Sequence, residues 1–234
     1  MKQKISKISV LIKKKYKYEL LENGFNSQDI AAGKKVLNSK RITMAGNTRK
    51  FEDAFAKKIG SKYALMVNSG SSANLLAAFA AGNLLRSKRY KAGDEVLIPV
   101  LCWSTSVWPF VQFGLKPTFV DIDLDTLNIS INDLKKKINK KTKALVLINV
   151  LGNCSNLFEI KKIAKKKNII IIEDNCESLG SKLKGKHLGT FGDFSTFSFY
   201  YSHQITSGEG GMITCNNDED YEILFSLRSH GWFG

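Results

Sequence analysis

Three short segments of this 234-residue chain hold residue types whose spacing could do chemistry. The first, NSGSSANL over Asn68–Leu75, stands between a strand pattern and a helical one. Gly70 would let the backbone turn there, and the N–H groups of Ser71, Ser72 and Ala73 would point out of the helix start. That makes an anion site suited to a phosphate, and the same serines would also serve as a plain helix cap. The second, IIIIEDNCES over Ile169–Ser178, sets Asp174 at the carboxyl end of an apolar strand, where open α/β sheets hold ligands. A carboxylate at that place could keep a pyridinium nitrogen protonated, or simply cap a turn. The third, FSTFSFYYSHQITSGEGGMI over Phe194–Ile213, sets Ser198, Ser202 and His203 in a polar loop between apolar strands. His203 could work as an acid and base near neutral pH, or be a satisfied structural histidine. His187 and His230 read as structural or surface residues.

These segments need a scaffold, and the hydrophobic pattern supplies one. Helices are expected over Ser27–Leu37 and Thr48–Ile59, the second marked by Phe51, Phe55 and Ile59 and stopped by Gly60. Beyond them short apolar runs alternate with helical stretches. The expected strands are Tyr63–Val67, Glu95–Val100, Pro117–Val120, Ala144–Val150, Ile169–Glu173, Thr196–Tyr200 and Gly211–Thr214. The expected helices are Ser71–Leu85, Ser104–Phe113, Ile131–Ile138, Leu157–Lys167 and a last one from Asp218 to about Ser229. Strands apolar at every position, separated by helices, indicate an α/β fold with a parallel sheet covered on both faces.

Composition narrows the class further. The chain is 43% hydrophobic and 24% charged with three prolines, which excludes a disordered or collagen-like protein. No apolar run approaches the roughly 20 residues that span a bilayer. The opening MKQKISKISVLIKKKYKY has an apolar stretch, Ile8–Ile12, too short for a secretory core, and no cleavage site follows. The expected location is the cytoplasm, with no membrane partner. Cys102, Cys154, Cys176 and Cys215 are scattered, so no metal site or disulfide framework is expected, only reduced, mostly buried thiols. The net charge of +15 comes from lysine clusters at Lys13–Lys15, Lys135–Lys137, Lys140 and Lys141, and Lys165–Lys167. They are dispersed and lack interleaved aromatics, so they read as solvated helix faces and not as a nucleic-acid groove.

In order, the three segments resemble a fold-type I pyridoxal-phosphate enzyme. More narrowly, MAGNTRKFEDAFAKKIG, NSGSSANLL, FVDIDLDTLNI, NVLGN, EDNCESLGS and GTFGDFSTFSF before GEGG resemble the sugar aminotransferase superfamily acting on nucleotide-linked 4-ketohexoses. The resemblance implies an aspartate aminotransferase-like large domain over residues 46–234, preceded by an N-terminal arm over residues 1–45. The ending HGWFG looks like a cut inside a longer protein, with the family's smaller C-terminal domain absent. By position, Gly70, Ser71 and Ser198 match phosphate contacts, Trp103 the aromatic stacked on the pyridine ring, and Asp174 the partner of the ring nitrogen. Glu177, one helical turn on, matches a residue near the ring's hydroxyl edge.

One departure from the pattern is informative. Aminotransferases of the superfamily carry a lysine before the GEGG-like turn, and its amine forms an imine with the cofactor aldehyde. Here that position is His203, and an imidazole cannot make that bond. A histidine there, with SLRSHGW, resembles the branch of 3-dehydratases of 3,6-dideoxysugar and O-antigen lipopolysaccharide biosynthesis. The resemblance implies pyridoxal 5′-phosphate and pyridoxamine 5′-phosphate held without a covalent tether, glutamate as amino donor, a nucleotide-sugar substrate and a homodimer. Other readings are an aminotransferase, a related dehydratase that pairs with an iron–sulfur centre and needs clustered cysteines, or an inactive remnant or binding module.

Overall fold

The structure, a computed structural model, describes Leu21 and residues 24–232. The leader-like opening, the Lys13–Lys15 cluster and the last two residues of HGWFG lie outside the described residues. Seven strands make the main sheet: β1 (Tyr63–Val67), β2 (Glu95–Pro99), β3 (Lys116–Val120), β4 (Thr142–Ile148), β5 (Ile170–Asp174), β6 (Phe194–Ser198) and β7 (Gly211–Cys215). Their order is β1-β7-β6-β5-β4-β2-β3. Pairing is parallel from β6 through β5, β4 and β2 to β3. β7 runs antiparallel to both β6 and β1. A loop with no crossover helix joins β6 to β7, and such a connection returns a strand only in the antiparallel sense. Every other strand of the sheet therefore ends on one edge, the edge where β7 begins.

Around the sheet lie α1 (Ser27–Asn38), α2 (Gly46–Ile59), α3 (Gly70–Ala81), α4 (Trp108–Phe113), α5 (Ile131–Lys137), α6 (Leu157–Lys167) and α7 (Asp218–Arg228). The continuously apolar strands feed two cores by alternation. Val96, Ile98, Ile170 and Ile172 pack with Ala73, Ala77, Ile223 and Leu224 on one face. Leu97 and Ile171 pack with Leu134, Leu157 and Ile160 on the other. Phe55, Ala56 and Ile59 of α2 join Phe197, Phe199 and Met212 in a third cluster. Five fully buried alanines, Ala73, Ala77, Ala78, Ala80 and Ala81, let α3 approach the sheet closely. The capping box of Asn26 and Asp29 starts α1, yet α1 buries no side chain.

Several boundaries differ from expectation, among them β4, which begins and ends two residues early, and α2, which begins at Gly46; three further differences have clear physical reasons. α3 ends at Ala81, because Gly82 packs against the Phe113 ring and Arg86 turns inward. Arg86 there makes a bidentate pair with Asp220 at 2.6 and 3.1 Å, tying the α3 end to α7, while Leu84 and Leu85 face solvent. The helix expected over Ser104–Phe113 is broken into a 3-10 turn, Ser104–Ser106, and α4. Pro109, in the first turn of α4, has no N–H with which to continue a helix from Ser104. β6 runs Phe194–Ser198, two residues earlier than the alternation suggested, because Tyr200 already accepts a turn hydrogen bond from the His203 N–H. The Lys135–Lys137 and Lys165–Lys167 runs occupy the last turns of α5 and α6, facing solvent and favourably placed against the helix dipole.

Candidate active site

The start of α3 is built by close approach. Ser69 caps the helix, its Oγ accepting the Ser72 N–H at 3.1 Å, and its carbonyl accepts the Ala73 N–H at 3.0 Å. Ser72 and Ala73 therefore spend their N–H groups internally, contrary to the sequence expectation. The N–H groups of Gly70 and Ser71 have no acceptor among the described residues. Gly70 is helical and makes no turn. It is glycine for space, since a Cβ there would sit 2.7 Å from Ser198 Cβ and 2.8 Å from Cys176 Sγ. Register brings the pieces together, because Gly211 at the start of β7 pairs with both Val67 and Ser198. The helix start, Ser198 and the first residue of β7 thus meet at the sheet edge. Two free N–H groups beside the hydroxyls of Ser71 and Ser198 fit a phosphate.

Asp174, the last residue of β5, is 6% exposed. Its Oδ2 accepts from Asn74 Nδ2 at 2.9 Å and from Ser106 Oγ at 2.7 Å, and its Oδ1 accepts from the Cys176 N–H at 3.1 Å. Asn74 in turn takes a hydrogen bond at 2.6 Å from Thr196 Oγ1. The neighbouring Glu173 has a different task. Fully buried, it accepts the N–H groups of Gly189, Phe191 and Gly192, so that burial pushing its carboxyl up is opposed by these donors. The EDNCES and GTFGDF motifs are joined by this contact, which is structural.

The loop after β6 carries His203 to the same edge. Thr206 Oγ1 and the Ser207 N–H both donate to the Phe199 carbonyl, the Phe199 N–H donates to Gly210, and Gln204 Nε2 donates to the Glu177 carbonyl at 2.7 Å. The His203 ring lies edge-on to Tyr200, with centroids 6.0 Å apart. Half-burial lowers its pKa below the ordinary 6.5, and the charges of Glu177 and Asp174 partly offset that shift. Glu177 is exposed and lies in a turn, and its Oε2 accepts the Leu151 N–H at 3.4 Å.

Trp103 precedes the Ser104–Ser106 turn at the carboxyl end of β2 and is 71% exposed, so it is not an ordinary buried tryptophan. The four cysteines are free, but only Cys215 is buried; Cys102, Cys154 and Cys176 are half-buried. Burial, and then the Asp174 charge, push the Cys102 and Cys176 thiols up. A groove of about 1280 Å3 between α1, residues 41–48 and α3 is lined by neither Asp174 nor His203. Asp174 and Ser198 end their strands, β5 and β6, on the other side of the start of α3, away from that groove. Sequence reasoning missed Asn74, Ser106, Thr196 and Gly211. A lone amide in the alanine-rich GSSANLLAAFAA was the available signal for Asn74; Ser106 had none.

A mostly parallel sheet, a helix start with two unused N–H groups and a carboxylate at the end of β5 accompany the pyridoxal-phosphate-dependent aminotransferase-like fold. The chain belongs to the DegT/DnrJ/EryC1/StrS aminotransferase family, whose model matches residues 25–233. It is 46% identical over 215 residues to the GDP-4-keto-6-deoxy-D-mannose 3-dehydratase of Escherichia coli O55:H7, covering 92% of this chain and 55% of that protein. The enzyme of the same name from Yersinia pseudotuberculosis is 43% identical over 215 residues, covering 92% of this chain and 54% of that one. A solved structure of the E. coli dehydratase with bound hydrated PLP superimposes with a TM-score of 0.88 at 46% identity, covering 92% of this chain and 55% of that chain. The chain spans about half the length of the curated relatives it matches.

Proposed function

We propose that the chain is the cofactor-binding part of a pyridoxal/pyridoxamine 5′-phosphate-dependent dehydratase that removes the C3 hydroxyl of a nucleotide-linked 4-keto-6-deoxyhexose. What carries this reading is His203, which by the resemblance stands at the position of the superfamily's lysine, in a loop that Gln204 ties to the Glu177 carbonyl at 2.7 Å. No lysine stands between Ser202 and Gly208. The GDP-sugar dehydratases at 46% and 43% identity support the same chemistry and favour GDP as the nucleotide.

When bound, the cofactor supplies an electron sink in its protonated ring. The chain's own residues would divide the remaining work. The Gly70 and Ser71 N–H groups and the Ser71 and Ser198 hydroxyls hold the phosphate. Asp174 holds a proton on the ring nitrogen, Trp103 covers a ring face, and Glu177 stands at the hydroxyl edge. With the cofactor and sugar in place, His203 would serve as the base for the proton at the cofactor's C4′ carbon and as the acid for the sugar's C3 oxygen, which would leave as water. An untethered cofactor leaves the imidazole free for both transfers. Glutamate as amino donor, a homodimer, a cytoplasmic location and the division into an arm (1–45) and a large domain (46–234) complete the proposal. That α1 buries no side chain while α2 joins the core supports the division.

Incubation with GDP-4-keto-6-deoxymannose, the cofactor and glutamate tests this. The expected product has lost the C3 oxygen, read by mass and proton NMR; a 4-amino sugar retaining that oxygen would overturn the reading. Because the base form must be neutral, kcat/KM is expected to fall as pH drops, with a midpoint below 6.5, the direction in which burial moves His203.

A further inference from the structure

Asp174 is surrounded by donors that the proposed chemistry leaves unexplained. Asn74, 4% exposed, reaches it from α3, and Thr196, fully buried in β6, reaches Asn74. We infer that Asn74, oriented by Thr196, is a positioning residue that presents an N–H donor to Asp174 and fixes the orientation in which its carboxyl group meets the cofactor's ring nitrogen. This rests on the cofactor reading above.

The inference follows from donors and acceptors. An amide has one end that only donates and one that only accepts, and the two ends have the same shape. Asp174 Oδ2 already takes the Ser106 hydroxyl at 2.7 Å, and Oδ1 takes the Cys176 N–H at 3.1 Å. The Thr196 hydroxyl has one proton and two acceptors in reach: Asn74 Oδ1 at 2.6 Å and the Glu173 carbonyl at 3.3 Å. The shorter bond directs that proton to Asn74. The amide then presents Nδ2 to Asp174 Oδ2 at 2.9 Å. With the amide flipped, Asn74 Oδ1 would face Asp174 Oδ2, acceptor against acceptor, and the carboxyl group would be pushed from its orientation.

The test binds pyridoxamine 5′-phosphate, labelled with 15N in the ring, to the protein and reads the 15N shift and Kd by NMR and absorbance titration. The wild-type protein is expected to show a protonated ring nitrogen. Thr196→Val keeps the shape but removes the proton donor; it should move the shift toward the unprotonated value and raise Kd about tenfold. Thr196→Ser should restore both. A Thr196→Val protein that melts at a lower temperature, yet keeps the wild-type shift and Kd, would overturn the relay, since the hydroxyl would then serve the fold alone. Should Thr196→Val not fold, Asn74→Leu removes the donor at nearly the same volume and adds no charge. It is expected to move the shift toward the unprotonated value, and an unchanged shift would again overturn the relay. No binding by the wild-type protein would defeat the cofactor reading itself, and the relay with it.

Discussion

Replacing His203 with asparagine is expected to lower kcat for dehydration by about a hundred- to ten-thousand-fold, the usual loss when a general acid–base group is removed. The substitution leaves the scaffold alone. The loop is held by main-chain and neighbouring contacts: His203 N–H to the Tyr200 carbonyl, Ser207 N–H to the Phe199 carbonyl, and Gln204 Nε2 to the Glu177 carbonyl. None of these uses the imidazole. The proposed phosphate and ring contacts come from α3, β5 and β6, so cofactor affinity should remain near wild type. Turnover assays beside absorbance titrations of pyridoxamine 5′-phosphate would separate the two effects. A variant that loses affinity in step with kcat would assign His203 to binding, and one that keeps its rate would remove it from the mechanism.

Gly211→Ala should damage the opposite half of the site. An added Cβ would lie 2.2 Å from the Ser69 carbonyl oxygen and 2.8 Å from the Gly70 nitrogen, both backbone atoms that cannot rotate away. The strain is one of space, since Gly211 has ordinary extended geometry in β7. To admit the methyl, the start of α3 must lift from the sheet edge and away from Ser198. Overpacking of this kind costs about 1–3 kcal/mol. If the phosphate contacts are lost with it, Kd for either form of the cofactor should rise roughly ten- to a hundredfold. Gly33→Ala is the control: a Cβ there meets nothing within 4 Å, and neither stability nor affinity should fall. Equal cofactor affinity in the Gly211→Ala and wild-type proteins would show that the helix start does not hold the phosphate.

Much of this site was legible because its parts are local. Tyr63–Val67 and Leu157–Lys167 fall where periodicity put them, and Asp174 ends its strand where the apolar run ends. The strand–Gly–Ser–helix junction was readable for the same reason. The partners of Asp174 were not. Asn74 lies 100 residues away in sequence and Ser106 lies 68 away, so their meeting depends on strand order, which no local pattern encodes. The antiparallel insertion of β7 between β1 and β6 was equally hidden, and with it the reason for glycine at position 211. Gly70 shows a subtler failure: its residue type was noticed, but its purpose is clearance for Ser198 and Cys176, not a turn. The α3 boundary failed where Leu84 and Leu85 continued the apolar pattern into solvent while Arg86 was drawn inward to Asp220.

The central claim is that the cofactor is held without a covalent bond to the chain. Borohydride reduction of the protein loaded with pyridoxal 5′-phosphate, followed by peptide mass mapping, tests it most directly. Bound cofactor with no lysine labelled stoichiometrically, and the peptide containing His203 unmodified, is the predicted result. One lysine carrying a full equivalent of reduced cofactor would contradict the account and return the protein to the aminotransferases.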